Sequence, residues 1–151
     1  MFFDEEVMEF NEDAKSSKEI ITKLSNELET KRLVNDQFLE HVLKREKKYP
    51  TGLGIRDIGV AIPHTDSKYV NKSQIAFATL KKPVIFKNMV NLNEDISVSL
   101  IFMIAMNKPH EQVELLSNLM GLFQKTKDMS KLKNSKTKHE VIEILRANQI
   151  F

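Results

Sequence analysis

Almost all strand-like segments of this 151-residue sequence stand together in the middle of the chain. Helical patterns precede and follow them. A doubly wound fold, in which strands and helices alternate regularly, would not group its strands in this way. The order therefore favours an α+β fold, with a mixed β-sheet that is covered by helices on both faces. The predicted strands span residues 60–62, 73–80, 84–86 and 96–105, and an edge strand is predicted at residues 7–10.

Four helices are predicted from apolar residues that recur every three to four positions. The first follows the N-cap candidates Ser16 and Ser17, and the third opens at Pro109, whose missing N–H costs nothing in a first helical turn. Residues 50–54, with one proline and two glycines, are predicted to form an irregular loop. The buried stripe of the third helix is expected to consist of Val113, Leu116, Met120 and Phe123.

The composition is that of one globular domain that covers residues 1–151. Its 23 basic and 21 acidic residues leave a net charge of +2, which gives no general attraction to nucleic acid. The absence of cysteine excludes disulfides, thiolate metal sites and cysteine nucleophiles. No apolar stretch has the length of a signal peptide core or of a membrane span, so a cytoplasmic protein is expected.

A proline and then a histidine end the first central strand, in the run Gly59-Val60-Ala61-Ile62-Pro63-His64. Proline has no N–H and holds φ near −65°, so it cannot continue a central strand. The imidazole of His64 is therefore expected at the rim of the sheet, on a stiff backbone. That position suits a nucleophile, a general base or a metal ligand, and it also suits a purely structural histidine.

His110 is the second histidine that stands beside a proline at a junction, because it opens the helix that follows the long apolar strand. If that strand neighbours the strand that precedes His64, the two imidazoles meet at one edge of the sheet. The competing interpretation of His110 is a surface residue in a first helical turn. His41 and His139 lie in or at the start of helical patterns and are interpreted as surface or capping residues.

Three kinds of chemistry would use two such histidines. A metal site needs further ligands, and Asp66 alone is suggested by its closeness to His64. A hydrolase needs a nucleophile with its base, but no G-x-S-x-G elbow and no Ser/His/Asp set are recognisable. A phosphorylated histidine needs hydrogen-bond donors and a cation, which the helix start at His110 and the arginines Arg45 and Arg56 would supply. No phosphate-binding glycine loop is present, which argues that another protein brings the phosphate.

The chain resembles, at four segments in this order, the enzyme IIA component of the bacterial phosphoenolpyruvate sugar phosphotransferase system (PTS) of the fructose–mannitol type. The loop at residues 49–53 is most similar to that of the galactitol-type members, and the resemblance extends to about residue 150. The four segments are Arg45-Glu46 followed after three residues by Pro50-Thr51-Gly52-Leu53, the run at residues 59–64, the apolar strand SVSLIFMIAMN, and His110 with Val113, Leu115 and Leu116.

The resemblance implies a three-layer α/β/α sandwich around a mixed sheet, and a phosphotransferase without a cofactor or a metal. It implies that His64 accepts a phosphoryl group from the phosphocarrier protein HPr and passes it to a cysteine of a IIB component. His110 matches the family's second active-site histidine, which helps to hold the phosphoryl group, and Arg45 matches the arginine near the phosphorylation site. The membrane permease IIC is expected as an indirect partner, and no nucleic acid is expected.

Two other functions stay open at this point. A regulatory IIA-like protein with the same site would signal the phosphorylation of His64 to a transcription factor or another target. A metal-binding domain would use His64 and His110 directly. The transported sugar is set by the IIC partner, so the galactitol-like loop leaves pentitols and other hexitols open.

Overall fold

A mixed five-stranded β-sheet divides the protein into two apolar layers in the computed structural model, which describes residues 1–151. Its elements are β1 (Met8–Glu12), α1 (Ser17–Thr30), α2 (Phe38–Lys48), β2 (Gly52–Ile55), β3 (Ile58–Ala61), β4 (Gln74–Lys87), β5 (Asp95–Ala105), α3 (Pro109–Phe123), α4 (Thr126–Lys133) and α5 (Lys138–Ala147). The strand order is β1-β4-β5-β3-β2. The β1–β4 and β3–β5 pairs are parallel, whereas the β4–β5 and β2–β3 pairs are antiparallel. The predicted α+β class with a mixed sheet is confirmed.

Strand β5 lies at the centre of the sheet and is apolar on both faces. Ile101 and Met103 pack into one layer, while Phe102 and Ile104 pack into the other. Successive side chains of a strand point to opposite faces, so a strand that is covered on both sides has a continuous apolar run. This burial explains why the segment could be recognised from the sequence.

Helices α1 and α2 cover one face of the sheet. The hydroxyl of Ser16 accepts a hydrogen bond from the N–H of Glu19 at 3.1 Å, so α1 begins where its N-cap candidate predicts. Helix α2 is less buried than α1, and its last turn carries Arg45 and Glu46. The buried apolar residues of α1 are Ile20, Ile21, Leu24 and Leu28.

Helices α3, α4 and α5 cover the other face. The stripe predicted for α3 was wrong at Val113, which is 70% exposed, whereas Phe123 is buried and Leu116 and Met120 are partly buried against the core. Apolar residues occupy more than one side of α3, so their spacing did not identify the side that faces the core. None of the helices combines the length and the apolarity that a membrane crossing requires. The buried residues of α3 are Leu115, Leu119, Leu122 and Phe123.

The irregular loop predicted at residues 50–54 was wrong, because Gly52 begins strand β2. Gly52 pairs with Ala61 in the antiparallel β2–β3 ladder. A Cβ atom at Gly52 would lie 2.6 Å from the carbonyl oxygen of Lys87, so this close approach requires glycine. Proline and glycine indicated a turn, but antiparallel pairing with the next strand, β3, decided the conformation.

The separate strand predicted at residues 84–86 is the second half of β4. The register of β4 against β5 shifts between Thr79 and Val84, and Pro83 is exposed within this irregularity. A break in the ladder tolerates a proline because the pairing is already interrupted there.

Candidate functional site

The backbone at His64 is held against β5 just beyond the end of β3. The N–H of Ile104 donates to the carbonyl of Pro63 at 3.0 Å, and His64 forms a parallel bridge with Ile104. The side chain is only 7% exposed. The histidine that follows the predicted strand end is therefore held rigidly, and its ring is more buried than a surface residue would be.

The ring of His64 is oriented by the backbone of Ile62. Nδ1 of His64 lies 2.6 Å from the carbonyl oxygen of Ile62. A carbonyl oxygen can only accept a hydrogen bond, so Nδ1 carries the proton. In a neutral imidazole the other nitrogen, Nε2, then holds a lone pair and can act as the nucleophile.

The surroundings of this imidazole favour its neutral form. Burial lowers the pKa of His64, and the positive charge of Arg45 acts in the same direction. The Ile62 carbonyl and the Asp66 carboxylate oppose this shift without reversing it. A neutral ring is the form that a nucleophilic histidine needs.

A cavity of about 590 Å³ opens beside His64. The end of α2, the loop between β4 and β5, and one side of α3 form its walls. Its rim exposes three large apolar side chains, since Tyr49, Val90 and Leu92 are 56%, 85% and 56% exposed. Exposed apolar residues grouped around one concave site are typical of a surface that contacts another molecule.

Arg45 lines the same cavity as His64. Its guanidinium carbon lies 5.6 Å from the centre of the Tyr49 ring, within the range of a cation–π interaction. Its Nε atom is buried without a hydrogen-bond partner. The structure therefore brings two of the three predicted site residues, His64 and Arg45, to one place.

His110 is not among the residues that line this cavity. It is exposed in the first turn of α3, directly after Pro109, as the competing interpretation expects. The same helix lines the cavity further along, with Leu116 and Met120. Its role at the site stays a prediction.

Arg56, the other arginine considered for the site, has a different partner. It is exposed, and its guanidinium donates to the hydroxyl of Thr126 at 2.6 Å. No group of three or more His, Cys, Asp or Glu side chains is arranged to hold a metal ion.

Two residues beside His64 were missed as site residues in the sequence. Glu46 and Thr51 are linked to each other and, through Ile62, to His64. Both lie within the Arg-Glu and Pro-Thr-Gly segments that carried the family resemblance. The signal was an acidic residue at a helix end, five positions before a threonine that immediately precedes the next strand.

Comparison with known proteins gives a family match for nearly the whole chain. Residues 1–148 match the family described as "Phosphoenolpyruvate-dependent sugar phosphotransferase system, EIIA 2". The chain is 30% identical over 106 residues to the PTS galactitol-specific EIIA component of Escherichia coli strain K12, and this match covers 70% of each protein.

Two further similarities concern a regulator and a solved structure. The chain is 32% identical over 123 residues to the transcriptional regulator ManR of Bacillus subtilis strain 168, which is 80% of this chain and 17% of ManR. Its fold is similar to that in the complex of enzyme IIAMTL and phosphorylated enzyme IIBMTL from Escherichia coli. The TM-score is 0.76 at 23% identity, over 93% of this chain and 94% of that chain, and this likeness supports the fold alone.

Proposed function

The chain belongs to the EIIA 2 family of the phosphoenolpyruvate-dependent sugar phosphotransferase system, and on this premise we propose that Nε2 of His64 accepts a phosphoryl group from phosphorylated HPr and passes it to a cysteine of a IIB component. Members of this family are phosphotransferases that carry a phosphohistidine. The observation that carries the proposal is the His64 ring, with Nδ1 bonded to Ile62 and with Nε2 as the nitrogen that holds the lone pair, beside a cavity with Arg45.

The transfer requires positioning more than acid–base chemistry. The lone pair of Nε2 forms the new P–N bond as the P–N bond of the donor breaks, and that bonding pair returns to the donor's imidazole. The proton on Nδ1 stays on the ring, where the Ile62 carbonyl stabilises the positive charge that the ring gains. The thiolate of the IIB cysteine then takes the phosphoryl group, and the bonding pair returns to Nε2.

Arg45 supplies the positive charge that stabilises the phosphoryl oxygens during this transfer. It lines the cavity with His64, and the Tyr49 ring supports its guanidinium. His110 assists in holding the phosphoryl group, as the family resemblance implies. The support in the structure is that His110 lies in the first turn of the helix whose Leu116 and Met120 line the cavity.

The apolar rim of the cavity is the docking surface for HPr and for the IIB component in turn. IIA domains of this system interact with a IIB component, as in the complex from Escherichia coli. Tyr49, Val90 and Leu92 are exposed at this rim. Two partners that bind successively need small interfaces, of about 1,200 Å² or less in total.

The substrate class that we propose is a sugar or sugar alcohol of the galactitol kind. The support is the relative that is 30% identical, a galactitol-specific EIIA component. A IIA component does not contact the sugar, so the membrane permease IIC, an indirect partner, selects it.

The test is phosphorylation with enzyme I, HPr and phosphoenolpyruvate. The wild-type protein should gain one acid-labile phosphate, and His64→Ala should gain none. His139→Ala is the matched control, because His139 is exposed and paired with Glu143. A His64→Ala variant that still becomes phosphorylated would exclude this assignment.

A second candidate function is regulatory, with the phosphorylation of His64 read by a transcription factor or another target. The observation that favours it is the 32% identity with ManR. Mixing the phosphorylated protein with its cognate IIB component separates the two functions. Transfer to the IIB cysteine supports the transport role, and retention of the phosphate on His64 supports the regulatory role.

A further inference from the structure

We propose that Glu46 and Thr51 are positioning residues, which hold the imidazole of His64 in the orientation and tautomer that leave Nε2 unprotonated. This inference rests on the proposed function, since it assigns two residues to the preparation of the same nucleophile. Neither residue contacts the reacting nitrogen. Both act through the backbone of Ile62.

The first link joins Thr51 to Glu46 by two hydrogen bonds. The N–H of Thr51 donates to Oε2 of Glu46 at 2.7 Å, and the hydroxyl of Thr51 donates to Oε1 at 2.7 Å. A carboxylate only accepts hydrogen bonds, so this pair of bonds fixes the direction of the hydroxyl proton. The lone pairs of the Thr51 oxygen are then directed away from Glu46 and can accept a third bond.

The second link runs from Thr51 through Ile62 to His64. The Thr51 hydroxyl accepts the N–H of Ile62 at 3.2 Å, and the Ile62 carbonyl accepts the Nδ1–H of His64 at 2.6 Å. Ile62 stands one residue beyond the last β2–β3 pair, Gly52 with Ala61. The Thr51 side chain therefore supplies the bond that the ladder no longer provides at Ile62.

Burying the Glu46 carboxylate costs free energy, which argues that the Glu46–Thr51 pair has a role beyond stabilising the fold. Burial raises the pKa of Glu46, while the bonds from Thr51 and the charge of Arg45 oppose the rise. An apolar residue would fill the same volume without the cost of removing a carboxylate from water. What the carboxylate adds is a fixed direction for the hydroxyl of Thr51, which in turn holds the Ile62 backbone.

The experiment compares variants that change either the Thr51 hydroxyl or its Glu46 acceptor. Thr51→Val removes it at nearly constant volume, Thr51→Ser keeps it, and Glu46→Gln removes one of the two acceptors. Thr79→Val is the matched control, because the Thr79 hydroxyl is also buried and accepts a backbone N–H, that of Asn11 at 2.8 Å, between β1 and β4.

Two measurements are made on each folded variant. Nitrogen-15 NMR of the ring gives the tautomer of His64 without any phosphoryl donor, and phosphorylated HPr then gives the rate of phosphorylation. We expect Thr51→Val and Glu46→Gln to populate the Nε2–H tautomer of His64 and to be phosphorylated roughly tenfold more slowly. Thr51→Ser and Thr79→Val should retain the wild-type tautomer and rate.

The outcomes separate this inference from the proposed function. If the wild-type protein is phosphorylated on His64 and Thr51→Val matches it in tautomer and rate, the positioning role is wrong. An equal loss in Thr79→Val also overturns it, because a general loss of stability would then explain the effect. If neither the wild-type protein nor any variant is phosphorylated while Thr51→Val still changes the tautomer, the proposed function fails and the positioning of the ring stands. Glu46→Gln decides the question if Thr51→Val does not fold.

Discussion

The Nδ1 atom of His64 lies 2.6 Å from the carbonyl oxygen of Ile62, two residues earlier in the chain. This single contact decides which ring nitrogen is protonated and which way the ring points. Burial lowers the pKa of the same ring, helped by Arg45. The orientation of the proposed nucleophile and the preference for its neutral form therefore arise from one short segment, Ile62-Pro63-His64, and its neighbours.

The pKa of His64 should lie below 6.5, the value of an unperturbed histidine. Its phosphorylation rate should then stay constant as the pH falls through 6.5 and decline only at the lower pKa. Below about pH 6.5 the unfolded chain binds a proton that the folded state excludes, so the free energy of unfolding should fall there. NMR titration of the ring measures the pKa. In His64→Gln, the free energy of unfolding should lose this part of its pH dependence. A midpoint at or above 6.5 would contradict the prediction.

Arg45→Lys should slow phosphorylation by phosphorylated HPr about tenfold to a hundredfold in kcat/KM. Lysine keeps the charge but loses the planar guanidinium that the Tyr49 ring supports. Arg56→Lys is the control, because Arg56 is exposed and bonded to Thr126. Equal rates for Arg45→Lys and the wild type would remove Arg45 from the proposed mechanism.

Val90→Asp should raise the KM for phosphorylated HPr about tenfold and leave kcat nearly unchanged. Val90 is 85% exposed at the rim of the cavity, so the substitution should not disturb folding. Phe151→Asp serves as the comparison, since Phe151 is also exposed and lines other cavities. If both variants raise KM alike, the effect comes from charge and not from this docking surface.

Gly59→Ala should lower the free energy of unfolding by about 3 kcal/mol. A Cβ atom at Gly59 would overlap the backbone of Ser97, so β3 and β5 could not keep their spacing. Gly121→Ala should instead raise the stability by up to about 1 kcal/mol, because it lies in α3 with open space around it. Urea unfolding of the two variants measures this difference. An unchanged free energy of unfolding for Gly59→Ala would contradict this prediction, because β3 and β5 could then move apart without a loss of stability.

Glu27→Gln should stabilise the protein at pH 8 by about 1 kcal/mol and have little effect at pH 5. Burial and the neighbouring Glu9 carboxyl raise the pKa of Glu27 to about 7, from 4.5. Between these values the folded state retains a proton that the unfolded state has lost, so the stability of the wild type falls as the pH rises. Urea unfolding at both pH values tests this, with Glu29→Gln as the exposed control. An identical effect at pH 5 and pH 8 would contradict it.

Local sequence patterns predicted much of the fold. The cap at Ser16, the apolar strand β5 and the proline at the start of α3 are recognisable because helix periodicity, strand burial and backbone restriction act over a few neighbouring residues. The same local reasoning placed His64 just beyond a strand end. It failed at Gly52, where antiparallel pairing with the next strand, β3, overrode the turn-forming residues, because the two-residue connection between β2 and β3 was not recognised.

The sequence by itself determined the type and order of most elements and the backbone setting of His64. The family resemblance had already singled out Arg45 and not Arg56. Only the tertiary structure decided that Nδ1 is the nitrogen bonded to Ile62, and that Glu46 and Thr51 reach the same backbone. The physical reason is that element formation depends on neighbours along the chain. Which side chains meet depends on how separate elements pack, and their spacing in the sequence does not encode that geometry.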